Sequence, residues 1–219
     1  GRYQITAGMS NNALVNMFAS GRQIPVKITF NNIRTREELA ERVGTQLECG
    51  EESLLEILND EKTAEKFGLN KNNFLVLFIP NTYELYWNTS AEKFIERMHS
   101  EWEKFWTAER REKAENIGLS PAEVSVLASI VKGETNQRDE MDEIAGVYIN
   151  RLREGWKLQA DPTVVFGIGD FTITRVLKKH LEFDSPYNTY MYAGLPPGPI
   201  NLPDATVIDK VLNYTNHNY

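Results

Sequence analysis

The stretch Leu119 to Gln137, LSPAEVSVLASIVKGETNQ, constrains the fold most. Ser120 is placed to cap a helix, Pro121 suits its first turn, and Glu123 completes a capping box. Val124, Leu127, Ile130 and Val131 then recur at helical spacing, so one face has to be buried against other elements. Glu134 comes four residues after Ile130 and seven after Leu127, which puts it on the same stripe. It also falls near the helix C-terminus, where the macrodipole disfavours a negative charge. Burial and dipole together would raise its pKa, as a carboxyl needs if it is to donate a proton near neutral pH. A helix-end glutamate bending out to solvent is the plainer alternative.

The stripe requires a core, and a chain of 219 residues with 41% hydrophobic and 25% charged residues can form one large domain or two small ones. The first third reads as short alternating elements. RYQI is a strand candidate, Ser10 caps a helix NNALVNMFASG stopped by Gly21, and PVKITF alternates like a strand. Thr35 caps a helix REELAERVGTQL, and EESLLEILND is helical. The apolar run NNFLVLFIPNTYELYW carries a Pro-Asn turn signal at its centre. From Ser90 one long helical pattern runs to a Gly118 cap, with Phe94, Met98, Trp102 and Phe105 on one face. Helices near 121–134 and 138–154 follow. Residues 155–203 then turn irregular and rich in Pro, Gly, Tyr and Asn, which is costly to order without a reason in packing or function. The expected fold is α+β: a small αβ unit over 1–88, then a mostly helical unit over 89–219 with irregular loops and short strands.

Several classes are excluded. A net charge of −7 argues against a dedicated nucleic-acid binder. The single cysteine, Cys49, rules out an internal disulfide, and no apolar run reaches the ~18 residues of a membrane span. His99, His180 and His217 are far apart, without HExxH or CxxC, so no metal is expected. There is no G-x-S-x-G, and GIGD at 167–170 lacks the third glycine and the βαβ context of a dinucleotide site and reads as a turn.

A raised carboxyl on Glu134 points to glycosidic bond cleavage. Ordinary glycosidases need a second carboxylate, which Asp161 in QADPT could supply; the same aspartate also fits a turn before Pro162, with its backbone held extended. The loop SPYNTYMYAGLPPGPI offers Tyr187, Tyr190 and Tyr192 as aromatic faces for sugar rings, with Asn188 and Thr189 as polar groups. Pro196, Pro197 and Pro199 fix that backbone, and a rigid corner closing the core is the competing reading.

LASIVKGET, AGVYINRLREGWKLQADPTVVFGIGD, SPYNTY and GLPPGPI, in this order over 119–203, resemble the YceG-like, or MltG, family of endolytic murein transglycosylases. More loosely, GRYQITAGMSNNALVNMFASG is similar to that family's LysM-like peptidoglycan-associated segment. FIPNTYELYWNTS resembles its FPDTY-type stretch, with Asn81 where Asp is usual. The resemblance implies cleavage between N-acetylmuramic acid and N-acetylglucosamine without water, leaving a 1,6-anhydro end. It places the catalytic glutamate at Glu134, with Lys132 where many members carry a further Glu. Gln159, Asp161, Thr163, Tyr187, Asn188, Thr189 and Tyr190 are the expected substrate contacts. The partners it implies are glycan strands and the cell-wall synthesis machinery. No cofactor enters. The implied location is the outer face of the cytoplasmic membrane, held by an N-terminal anchor that precedes this chain; a C-terminal strand region is expected beyond it. A non-catalytic peptidoglycan-binding module and a water-using hydrolase built on Asp161 remain the alternatives.

Overall fold

The computed structural model describes residues 1–216, so His217 lies outside the described residues. The first part contains α1 (Asn11–Ala19), β1 (Val26–Phe30), α2 (Arg36–Gly44), α3 (Gly50–Asn59), α4 (Glu61–Glu65) and β2 (Asn81–Leu85). Ser10 and Thr35 cap α1 and α2 through their hydroxyls, as their positions in the sequence suggest. β1 buries Val26, Ile28 and Phe30 and exposes Lys27 and Thr29, the alternation of a half-buried strand. It pairs antiparallel with β2, Ile28 opposite Tyr83. Residues 2–5 form no strand; Arg2 offers a single carbonyl to the Ile24 N–H. The apolar run before Pro80 coils as a 3-10 turn over Phe74–Leu77, and β2 begins just after the proline.

The long pattern from Ser90 to Gly118 is two helices, α5 (Ala91–Phe105) and α6 (Ala108–Ile117). The break falls at Trp106, which is buried, and Thr107, whose hydroxyl caps α6. The freed carbonyls at the end of α5 are not left bare: Arg110 donates to Phe105 and Arg111 to Trp106. Gly118 closes α6 in the left-handed conformation, φ 86°.

The remaining helices are α7 (Pro121–Glu134), α8 (Met141–Arg153), α9 (Asp161–Ile168), α10 (Lys178–Leu181) and α11 (Ala205–Leu212). The segment that reads as irregular therefore holds two short helices. Asp161 opens α9 rather than sitting in extended chain, and GIGD contains the helix stop, with Gly169 left-handed at φ 78°.

Two hydrophobic cores result. Ile28, Phe30, Leu39, Leu54, Phe74 and Phe78 form the first, completed by Ala91, Phe94, Ile95 and Met98 of α5. The second surrounds α7, whose Val124, Leu127, Ile130 and Val131 meet Ala145 and Ile149 of α8 and Val207 and Val211 of α11. Trp102 packs against both. Leu202, from the chain after the proline-rich loop, joins the first core and donates its N–H to the Ile33 carbonyl at 2.8 Å. Among the described residues the architecture is thus α+β, dominated by helix with one two-stranded sheet. Among the described residues no helix is long and apolar enough to cross a membrane.

Candidate active site

The C-terminal end of α7 is held from two sides. The Ser129 hydroxyl donates to the Val126 carbonyl (2.7 Å) and accepts the Ile200 N–H (3.0 Å), and Asn201 donates its amide to the Ser129 carbonyl (2.7 Å). The end of the proline-rich loop is thereby fixed one turn before Glu134. On the other side the start of α9 comes so close that a Cβ on Gly133 would lie 2.8 Å from Pro162 Cβ. That approach puts Asp161 beside Glu134 in a cleft of about 600 Å³, which Lys132, Asn201, Arg34 and Arg175 also line. A larger hollow of about 760 Å³ lies at the other end of α7 among Leu119, Val126, Leu152 and Leu195. Its Glu123 is already spent on the helix cap, so size does not make it the reactive site.

Glu134 departs from the buried position its stripe suggests. The stripe stays buried through Val131, Lys132 is half-buried, and Glu134 is exposed because the helix ends there and opens onto the cleft. Its carboxyl is nonetheless crowded. Burial of the carboxyl is the leading cause raising its pKa; the negative charge of Asp161 adds to the rise, while the Tyr148 hydrogen bond and the Arg151 charge oppose it. The open side of the residue admits water, which keeps the shift below that of a closed pocket. Tyr148, 5% exposed on α8, donates its hydroxyl to Glu134 Oε1 at 2.6 Å. Burial, then the Glu134 charge, pushes the Tyr148 phenol far above its ordinary pKa, so it remains a donor. Across the cleft, Asp161 Oδ1 accepts the Tyr190 hydroxyl at 2.7 Å, and Tyr190 is pushed up to about 12, first by burial and then by that bond. One oxygen of Glu134 is thus oriented by a fixed donor, and a second carboxylate faces the same space.

The YceG-like family model matches residues 1–219. The chain belongs to the YceG-like family. An endolytic murein transglycosylase of Bacillus subtilis is 29% identical over 216 residues, covering 91% of this chain and 59% of that protein. One from Streptococcus pneumoniae is 28% identical over 141 residues, 62% of this chain and 25% of its own. The chain spans less than two thirds of the length of these curated relatives. The crystal structure of a YceG-like protein from Listeria monocytogenes matches with a TM-score of 0.76 at 26% identity, covering 99% of this chain and 76% of that one.

In this YceG-like chain the residues singled out by sequence fall into two groups. Glu134 and Asp161 line the cleft, and Tyr190 reaches it through Asp161. Thr163, Asn188 and Thr189 are buried, with their polar groups turned to the protein. The Thr163 and Thr189 hydroxyls meet at 2.8 Å, and Thr189 Oγ1 accepts the Ala160 N–H. The Asn188 amide donates to the Leu181 and Phe183 carbonyls and its Oδ1 accepts the Tyr190 N–H, which aims Tyr190. Gln159 is exposed in a left-handed turn, φ 55°, and its N–H donates to the Thr189 carbonyl. Tyr187 packs on Phe166, ring centres 4.7 Å apart. The SPYNTY loop therefore backs the cleft more than it lines it.

The sequence patterns do not single out Tyr148 or Asn201. Tyr148 and Arg151, three apart on one helix, share a face, which is the signal that marks them. Asn201 Oδ1 is buried beside the cleft without a hydrogen-bond partner among the described residues. Of the described histidines, His99 packs against Phe67 and Trp102, and His180 Nδ1 accepts the Leu177 N–H at the start of α10. Among the described residues no group of three His, Cys, Asp or Glu side chains could hold a metal ion.

Proposed function

We propose that this chain carries the catalytic unit of an endolytic lytic transglycosylase acting on peptidoglycan glycan strands. The observation that carries the reading is the Glu134 carboxyl, held in an open cleft with a raised pKa and one oxygen tied to the buried Tyr148 hydroxyl. Protonated Glu134 gives its proton to the oxygen linking N-acetylmuramic acid to N-acetylglucosamine, and the bond from that oxygen to the anomeric carbon breaks. The muramic acid 6-hydroxyl closes on the anomeric carbon, and the Glu134 carboxylate takes the hydroxyl proton, leaving a 1,6-anhydro end and a free 4-hydroxyl. The nucleophile is intramolecular, so no carboxylate ester and no water are required. Asp161, oriented by Tyr190, faces the positive charge that develops on the ring. Gln159, Thr163, Tyr187, Asn188 and Thr189 act by holding the loops behind it.

The antiparallel pair of β1 and β2, with α2, α3 and α4 between them in the chain, supports a further proposal, that the first part is a LysM-like peptidoglycan-associated unit. The whole protein would work at the outer face of the cytoplasmic membrane, anchored by a preceding helix, alongside the cell-wall synthesis machinery.

Glu134→Gln, nearly isosteric, should cut cleavage of purified glycan strands by about 10²- to 10⁴-fold with the fold intact. Mass spectrometry of wild-type products should show 1,6-anhydro ends. Activity within a few-fold of wild type would remove Glu134 from the mechanism. Because Asp161 shares the cleft, a water-using hydrolase is the second reading; predominantly reducing ends, or a glycosyl ester trapped on Asp161, would favour it. Strand binding without any product would favour a binding module.

A further inference from the structure

The cleft has a cationic wall that the bond-breaking step does not use. Arg34 reaches it from the turn between β1 and α2, in the first part of the chain, and Arg175 from the segment after α9. The Arg34 guanidinium lies 4.8 Å from the centre of the Phe171 ring, which fixes it over the loop that carries Arg175. The two parts of the chain therefore share the cleft at this point. Among the described residues neither guanidinium is in an ion pair. Glu38 accepts from the Arg34 backbone N–H at 2.6 Å, not from its guanidinium. Nor do these arginines serve Glu134, since the cation that bears on its proton affinity is Arg151. Lys132 adds charge from α7 with its ammonium anchored on the Leu202 carbonyl at 2.8 Å. In a chain of net charge −7, two arginines without a carboxylate partner among the described residues line the cleft that holds Glu134.

We infer that Arg34 and Arg175 form an anion subsite that takes a carboxylate of the peptide stem carried by the sugar strand, so that stem charge as well as sugar identity selects the substrate. The inference rests on the transglycosylase reading for the identity of the ligand. A guanidinium fork matches a carboxylate in shape and charge, whereas uncharged sugar hydroxyls would gain little from two unpaired arginines. The subsite is open to solvent, so its contribution is modest and sensitive to salt.

The test is equilibrium binding to the full chain carrying Glu134→Gln, which prevents turnover. The probe is a short glycan strand with free stem carboxylates, compared with the same strand after conversion of those carboxylates to neutral amides. The charged strand should bind about 3- to 10-fold more tightly at low salt, with the preference shrinking as salt rises. Arg34→Gln and Arg175→Gln should each reduce the preference, and Arg34→Lys should restore part of it. Equal affinity for the two strands, or a preference that survives both Gln substitutions, would overturn the inference. Equally tight binding of strands stripped of their stems, which expose the lactyl carboxylate instead, would also overturn it by moving the anion to the sugar. A separate cleavage assay keeps the two readings apart. Charge preference without cleavage leaves the subsite and removes the chemistry, and cleavage without charge preference does the reverse.

Discussion

At the scale of single residues, Tyr148 and Asp161 act on the Glu134 carboxyl with opposite sign. The Tyr148 hydroxyl stabilises the carboxylate and lowers its pKa, whereas the Asp161 charge raises it. In the proposed mechanism the acid step needs Glu134 protonated, so kcat/KM should fall as pH rises through its pKa. Tyr148→Phe removes the stabilising donor and should move this falling limb to higher pH, with kcat lowered because the carboxyl is no longer oriented. Asp161→Asn removes the neighbouring negative charge and should move the limb to lower pH. Limbs that move together, or not at all, in pH–rate profiles of the two variants would remove this electrostatic account. The place of Glu134 at the end of α7 is legible in sequence and the SIVKGET motif marks it as a candidate, whereas its exposure departs from the buried stripe that helical spacing suggests. Tyr148 is less so, since nothing local tells which helix its hydroxyl meets, and Arg34 sits 100 residues before Glu134 in the chain.

At the scale of elements, caps were the most legible signal because they depend on neighbours a few residues away. Ser10, Thr35, Ser90 and Ser120 each accept a backbone N–H where their position suggests. The α5–α6 break is hidden because strong helix formers (AERREKAE) continue past it and no glycine or proline marks it; it depends on burying Trp106 and on arginines from the next turn. α9 is masked by its shortness, although Pro162 in its first turn and Gly169 after its end bracket it. α11 carries an Asp204 cap and buried Val207, Ile208, Val211 and Leu212 at helical spacing, and goes unread beside the proline-rich loop. The junction of α7 and α9 positions the site, and Gly133 tests it. A methyl group there would meet the Pro162 ring at 2.8 Å, which neither helix can avoid without shifting. Gly133→Ala should cost about 1–3 kcal/mol in urea unfolding and lower kcat by displacing Asp161. A variant as stable and active as wild type would show that this contact does not set the cleft.

At the scale of the whole molecule, the sequence suggests a division near residue 88, whereas the packing carries the first core past it. Ala91, Phe94, Ile95 and Met98 of α5 are all buried in that core, and α5 meets the second core through Trp102 and Phe105. Composition shifts report where chemistry changes along a chain, but a core closes wherever the next apolar face arrives. Burying Phe94, Ile95 and Met98 contributes roughly 1.5–3 kcal/mol each. Together that approaches the ~5–15 kcal/mol by which a whole domain is stable. A fragment of residues 1–88 should therefore lack a cooperative thermal transition, whereas residues 1–105, which restore α5, should show one even without Leu202 from the second part. Circular dichroism melts and amide proton dispersion of the two fragments compare them directly. A cooperative melt of 1–88 within a few degrees of the 1–105 midpoint would mean that α5 belongs energetically to the second core, and that the first part is complete without it.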